Sequence, residues 1–163
     1  MRAFKHIACI INPYAGGKSD IPASAQKCLD SLVENYESCT ILTTQRDGRE
    51  YACVQEIIPL NPDCCIIFGG YGTVHKVINA WMALAPDKIT TMVIYPSGSG
   101  NDFNRVLKMP RNPVAFINAF ANAQTKQIDL GYVYMKGTGK EHWFFNSIGM
   151  GLDSEVVRHV NAM

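Results

Sequence analysis

The sequence predicts an α/β fold, a parallel sheet with helices on both faces, followed by the start of an antiparallel β domain. Three observations carry this. Short apolar runs at 5–11, 39–44, 64–68 and 91–95 are each followed by a helix-period stretch. Runs too apolar to alternate suit strands buried on both faces, as in parallel sheets with helical crossovers. After about Thr125 the period changes to two: 127–135 and 142–148 alternate around Lys136-Gly137-Thr138-Gly139-Lys140, the pattern of a β-hairpin. Residues 1–124 are therefore expected to form the α/β domain. Residues 125–163 are expected to begin a β-rich second domain that the chain does not complete, since an isolated hairpin is marginally stable in water.

The elements follow in order. Residues 5–11 (KHIACII) form the first strand, and Asn12-Pro13-Tyr14-Ala15-Gly16-Gly17 a turn. Asp20 caps a helix with Pro22 in its first turn. Ile21, Ala25, Cys28, Leu29, Leu32, Val33 and Tyr36 recur at helical spacing on that helix. After the second strand, Asp47 and Glu50 read as a capping box for a helix ending near Pro59. The third strand, 64–68, leads through Gly69-Gly70-Tyr71-Gly72 to a helix over 73–84, with Thr73 as its cap or as a phosphate ligand. The fourth strand ends in the loop Pro96-Ser97-Gly98-Ser99-Gly100-Asn101-Asp102. Asn112 caps a helix that starts at Pro113 and carries Phe116, Ile117 and Phe120. Asp153 starts a short helix near the end of the chain.

Composition narrows the function classes. At 47% hydrophobic and 18% charged residues, a chain of 163 residues can bury a core. A net charge of +1 supplies no overall attraction to nucleic acid or to an acidic membrane, though it allows a local basic patch. No nucleic-acid partner is expected. No run approaches the roughly 18 apolar residues of a membrane span. The opening MRAFKHIACIINP ends in Asn-Pro and reads as a strand rather than a signal peptide. Cys9, Cys28, Cys39, Cys53, Cys64 and Cys65 form no C-x-x-C pair and sit in apolar patterns. They are read as buried reduced thiols of a cytoplasmic protein, with no metal site and no disulfide framework.

Three glycine-bearing loops follow strands, and in a parallel sheet such loops converge at the carboxyl edge, where ligands bind. In GGYGT, Gly69, Gly70 and Gly72 are expected to allow positive φ and a close approach to a ligand. Their amides and the dipole of the following helix suit an anion, although a tight strand-to-helix turn without a ligand explains the loop equally well. In GSGND, Gly98, Ser99, Asn101 and Asp102 offer amides, a hydroxyl and polar side chains, but these are also ordinary turn residues. In NPYAGGKS, Gly17-Lys18-Ser19 match the end of G-x-x-x-x-G-K-[ST]. Asn12 stands where the first glycine would be, and Pro13 biases it toward extended backbone, so a phosphate loop of that type is not expected.

Taken together, INPYAGGKS, FGGYGTVHKVINAWM, YPSGSGNDFNRVL, IDLGYV and FFNSIGMGLDSEVV resemble the diacylglycerol kinase catalytic-domain family, which also holds bacterial lipid kinases and is similar to sphingosine kinases. The resemblance runs in order from Ile11 to about Val157. It implies the N-terminal domain of the lipid kinase/NAD kinase-like fold, with ATP as the nucleotide, Mg²⁺ as the metal and a lipid hydroxyl as the acceptor. By match to the motifs, nucleotide contacts would come from Asn12, Pro13, Tyr14, Ala15, Gly16, Thr44, Gly69, Gly70, Tyr71, Gly72, Thr73, Val74, His75, Gly98, Ser99, Asn101 and Asp102. Peripheral membrane contact is compatible with a lipid acceptor.

Two departures bear on activity. Where the family reads GGDGT followed by a glutamate, this chain has Tyr71 and Lys76. Relative to that pattern the formal charge changes by about +3, each unit charge being on the order of 1 to 4 kcal/mol at a few ångströms. Such a loop favours bare anions over a metal–nucleotide complex. The bland reading is that Tyr71 packs over the loop and Lys76 is a solvated helix residue. The family's C-terminal acidic motif is expected beyond Met163. Asp153 and Glu155 match its LDAEV-type segment but are also explained as helix-start residues. The expectation is a nucleotide-binding relative of lipid kinases with weak or no transfer. The alternative is an inactive pseudokinase or truncated relative acting as a binding module. A Rossmann-like cofactor binder is disfavoured because no G-x-G-x-x-G follows the first strand. Apolar Trp143, Phe144 and Phe145 need cover that a homo-oligomer would supply.

Overall fold

A computed structural model describes residues 4–16, 20–45, 48–88, 90–97, 102–149, 151, 155, 158 and 159. The first apolar runs form four strands, β1 (His6–Ile11), β2 (Ser38–Thr43), β3 (Cys64–Gly69) and β4 (Thr91–Pro96), all parallel in the order β2-β1-β3-β4. The central strands explain the unbroken apolar runs. β3 is buried at every residue, and β1 at every residue after His6. The edge strands β2 and β4 are partly exposed. In register, Ile11 lies between Thr43 and Phe68, and Phe68 pairs with Tyr95. The carboxyl ends of all four strands thus finish at one level.

Helices cover both sides of this sheet. α1 (Ala23–Asn35) packs on α5 (Pro113–Ala121), and α2 (Glu50–Ile57), continued by a 3₁₀ turn Ile58–Leu60, packs on α3 (Tyr71–Leu84). Ile7, Cys9, Ile11, Cys64, Ile66, Phe68 and Tyr95 share one cluster with Ala25, Cys28, Leu29, Leu32, Phe116 and Phe120. Aromatic rings stitch it together: Phe68–Tyr95 and Tyr95–Phe116 centroids are both 4.9 Å apart, and Phe4 stacks on Phe120 at 5.4 Å. The intervening residues Ala8, Ile10, Cys65 and Ile67 turn to the other side of the pleat, and all are buried.

Several local expectations need correction. Pro22, rather than Asp20, is the N-cap residue of α1, and Val33 points outward at 53% exposure. Glu50 opens α2 behind Arg49, so no capping box forms, and Asp47 lies outside the described residues. α3 starts at Tyr71, with Gly70 as its N-cap; Thr73 is therefore inside the helix rather than its cap. A short helix unforeseen in the sequence, α4 (Asp102–Val106), follows the β4 loop. Asn112 does cap α5, its Oδ1 accepting from the Ala115 N–H at 3.1 Å.

By its internal contacts the chain divides into two compact units, Met1–Gln127 and Ile128–Met163. The second holds the hairpin. β5 (Gly131–Met135) pairs antiparallel with β6 (Lys140–Phe144), which begins and ends earlier than the aromatic run suggested. Gly139, at φ +68, closes the turn with its N–H on the Met135 carbonyl at 2.9 Å. Gly131 faces Phe144 across the ladder and leaves room for its ring; Tyr132 and Trp143 rings lie 4.9 Å apart. Trp143, Phe144 and Phe145 are half-buried. Glu155 is helical, its N–H on Gly151; Asp153 lies outside the described residues.

Candidate phosphate-binding edge

The loops leaving β1 and β3 meet at the carboxyl edge of the sheet, and Asn12 joins them. Its backbone N–H donates to Phe68 at 2.9 Å, its Oδ1 accepts from the Tyr14 N–H at 2.9 Å, and its Nδ2 donates to Thr73 Oγ1 at 2.8 Å. One amide side chain therefore folds its own turn and fastens it to the first turns of α3. Pro13, Tyr14, Ala15 and Gly16 form that turn, with Gly16 at φ +73. Thr44, beyond β2, joins the same edge through its N–H on the Ile11 carbonyl at 2.8 Å.

At the β3–α3 junction the glycines act differently from the expectation. Gly70 has φ −92, and neither Gly69 nor Gly72 adopts positive φ. A Cβ on Gly69 would lie 2.7 Å from the Thr73 Cβ, so this glycine permits strand and helix to pack closely. A Cβ on Gly72 would meet nothing within 4 Å, so the first turn of α3 faces open space there. First-turn amides of a helix have no intrahelical acceptor and carry the positive end of its dipole. Val74 points its side chain into the core and gives its N–H to Gly70 at 3.1 Å. His75 is half-buried, and its carbonyl accepts from Asn79 Nδ2 at 2.8 Å.

Tyr71 and Lys76 both have partners inside the protein. The Tyr71 hydroxyl accepts from the Phe103 N–H at 2.6 Å, tying the start of α3 to the start of α4. Lys76 Nζ lies 3.6 Å from Oε1 of Glu50, whose side chain is only 3% exposed. Gly48, at φ +82, passes just over this pair; a Cβ there would lie 3.0 Å from Glu50 Oε2 and 3.1 Å from Lys76 Nζ. The bland reading thus fits Tyr71, which lies across the loops, but not Lys76, which is half-exposed and paired rather than merely solvated. Gly98, Ser99 and Asn101 lie outside the described residues, and of Asp102 only the backbone, as first residue of α4, is described.

Buried polar atoms without partners mark the same edge. Among the described residues they are Thr44 Oγ1, Glu50 Oε2, Ser97 Oγ, and Nδ2 and Oδ1 of Asn104. All stand just beyond the carboxyl ends of β2 or β4. Such groups are uncommon because leaving them unpaired costs roughly 1–3 kcal/mol each. The opposite end of the sheet is the reverse. There a cleft of about 330 Å³ is lined by residues including Asp63, Trp81, Lys88 and Thr90. Yet Trp81 Nε1 donates to the Lys88 carbonyl, Thr90 Oγ1 to Pro62, and the Lys5 and His6 amides to Asp63. That cleft is roomy but satisfied; the carboxyl edge holds the unmet polar groups. Sequence reasoning missed Glu50, Ser97 and Asn104 as edge residues. Glu50 was hidden by its resemblance to a capping residue, and the signal that could have found it was the lysine at position 76 needing a counter-charge.

The thiols are free, and all but Cys39 are buried. Burial pushes Cys28 and Cys65 up to about 12, while a hydrogen bond from Cys9 holds Cys39 below its ordinary value.

Comparison with known proteins fits this arrangement. The family described as diacylglycerol kinase catalytic domain matches residues 6–133. A diacylglycerol kinase of Bacillus subtilis is 30% identical over 158 residues, 96% of this chain and 49% of that protein. A Yersinia enterocolitica protein described as "Probable lipid kinase YegS-like" is 26% identical over 151 residues, 93% of this chain and 48% of that protein. A crystal structure of a diacylglycerol kinase from Bacillus anthracis superposes with a TM-score of 0.67 at 29% identity, covering 80% of this chain and 44% of that one. The chain spans about half the length of the curated relatives it matches.

Proposed function

The chain belongs to the diacylglycerol kinase catalytic-domain family, and from that premise we propose that its α/β unit binds ATP or ADP by the phosphates at the carboxyl edge of the sheet, without help from Mg²⁺. Transfer of the γ-phosphoryl group to a lipid hydroxyl, the reaction suggested by the relatives' names, is weak or absent in this chain. The phosphates are received by the turn from Asn12 to Gly16 and by the first turn of α3. Thr44 Oγ1, Ser97 Oγ and the Asn104 amide supply further polar groups that the protein leaves unpaired.

The observation that carries the second half is the fate of Tyr71 and Lys76. One is committed to the Phe103 amide and the other to Glu50. Among the described residues the carboxylate beside this pair, Glu50, is already matched by a lysine, and no three metal-ligating side chains come together. A hard divalent cation takes oxygen ligands, carboxylates foremost. The donor set at positions 71 and 76 does not fit Mg²⁺, so no step is routed through it. Phosphoryl transfer relies on positioning and on neutralising charge, and the loss of a single such contact costs roughly two to three decades of rate. The six reduced thiols support a cytoplasmic location.

Calorimetry with ATP, with and without Mg²⁺, tests this. The expected result is weak binding of equal strength in both conditions. Strong enhancement by Mg²⁺ refutes the metal-independent site. No binding in either condition leaves the chain as an interaction module.

A further inference from the structure

We propose that Asn12 is a positioning residue that makes the Thr73 hydroxyl a hydrogen-bond donor for an ionised phosphate oxygen. This rests on the nucleotide reading and names what that site selects. The side-chain amide of Asn12 is fixed from one end. The Tyr14 N–H can only donate, so the Asn12 atom 2.9 Å from it is Oδ1. The atom 2.8 Å from Thr73 Oγ1 is then Nδ2, which likewise can only donate. The Thr73 oxygen is therefore the acceptor in that contact, and its own hydrogen is directed elsewhere. Thr73 is 4% exposed, and among the described residues that hydrogen meets no acceptor. An unmet donor at this depth is uncommon in a folded chain.

The surroundings say which acceptor is missing. Thr73 lies in the first turn of α3, a helix of 14 residues. The leading amides of such a helix have no intrahelical acceptor and carry the positive end of its dipole. Next to Thr73, a Cβ on Gly72 would meet nothing within 4 Å, so the space over this turn is open. On the strand side, a Cβ on Gly69 would lie 2.8 Å from Thr73 Oγ1, so the hydroxyl is packed against the end of β3. An oxygen that fits here accepts from the hydroxyl and lies at the positive end of the helix. An ionised phosphate oxygen does both; a protonated phosphate oxygen or an ammonium group, which must donate, does not. The hydrogen bonds from Tyr14 to Asn12, from Asn12 to Thr73 and from Thr73 to the phosphate run in one direction, so each donor strengthens the next. An aspartate at position 12 keeps the contact with Tyr14 and reverses the other. Its carboxylate can only accept, and it takes the Thr73 proton away from the ligand.

The test is calorimetry of the full chain with ADP in the absence of Mg²⁺, on Asn12→Asp, Thr73→Val and the two combined. Thr73→Val removes the donor and is expected to weaken ADP binding about tenfold or more. Thr73→Ser keeps the hydroxyl and stays within about threefold of the parent. Asn12→Asp is expected to weaken binding about tenfold through the captured proton, and further through the repulsion of its new charge. In the Thr73→Val background only the repulsion remains, so the loss caused by Asn12→Asp is about tenfold smaller there. The thermal midpoint of Asn12→Asp stays close to the parent's, because its contact with Tyr14 is kept and that with Thr73 is reversed rather than lost. A merely structural Asn12 instead lowers the midpoint and weakens binding equally in both backgrounds; that result overturns the proposal, as does unchanged ADP binding in Thr73→Val. A parent that binds no ADP sinks the nucleotide reading and this inference with it. A parent that binds ADP without the coupling between positions 12 and 73 sinks this inference alone.

Discussion

Replacing Lys76 by glutamate restores the acidic residue that the family carries at the matching position, but it does so against a carboxylate already in place. Lys76 Nζ is 3.6 Å from Glu50 Oε1. Unit charges at that distance interact by roughly 1 kcal/mol in water and roughly 5 kcal/mol at the effective dielectric of a protein surface. The lysine is 57% exposed, so solvent screening favours the lower end, about 1–2 kcal/mol. Lys76→Met keeps the aliphatic stem and loses only that attraction, about 1–2 kcal/mol. Lys76→Glu loses the attraction and gains a repulsion of similar size, about 2–4 kcal/mol. Glu50→Gln with Lys76→Glu removes the repulsion and returns to within about 1 kcal/mol of Glu50→Gln alone. The assay is urea unfolding at neutral pH, with the slope checked to be common to all variants. Two facing carboxylates also suit a divalent cation, so Mg²⁺ should raise the midpoint of Lys76→Glu and leave the parent unmoved. The reasoning fails if Lys76→Glu is within about 0.5 kcal/mol of the parent, or if adding Glu50→Gln gives no recovery.

Three further outcomes are expected. Tyr71→Phe removes the acceptor of the Phe103 N–H, costs about 1 kcal/mol and speeds hydrogen exchange at Phe103; unchanged exchange refutes the tie between α3 and α4. Gly131→Ala places a Cβ on top of the Phe144 ring, so the ring must shift from its place on the ladder. The hairpin then loses about 1–3 kcal/mol, read from Trp143 fluorescence, whereas a normal spectrum counts against the packing. Cys28 and Cys65 are pushed up to about 12 by burial. Their folded values lie above the unfolded ones, so their contribution is complete below about pH 9 and is lost as pH rises toward 12, by up to about 1.4 kcal/mol per unit per thiol. Cys65→Val should flatten that fall, and thiol reagents at neutral pH should reach Cys39 first.

The parallel sheet was legible because burial on both faces writes itself as unbroken apolar runs, and β1 and β3 are the strands where that burial is complete. The helix on Asn112 was legible because a cap is a local event, settled within three residues. What stayed hidden was set by contacts distant in sequence. Asn12 to Thr73 spans 61 positions and Tyr71 to Phe103 spans 32, and no periodicity encodes either. α4 is too short for a helical pattern to show. The glycines of GGYGT looked like conformational hinges, yet Gly69 is required by the bulk of Thr73 four residues on.

The pairing of Lys76 also changes how an anion would be held. Counted from the sequence alone, the substitutions at 71 and 76 add about three positive charges to the loops relative to the family pattern. In the fold, Glu50 stands beside that lysine, and its other oxygen has no partner. An approaching phosphate therefore meets a cation already engaged, and a carboxylate behind it that repels. The pull on the phosphate must come chiefly from the backbone amides and the dipole at the start of α3. Amide donors of this kind need no metal bridge and carry no net charge. A site built from them discriminates against Mg²⁺ by lacking oxygen donors rather than by repelling the ion. Affinity for nucleotide in Lys76→Met should then stay close to the parent's, although a site held together by the lysine's charge would lose it.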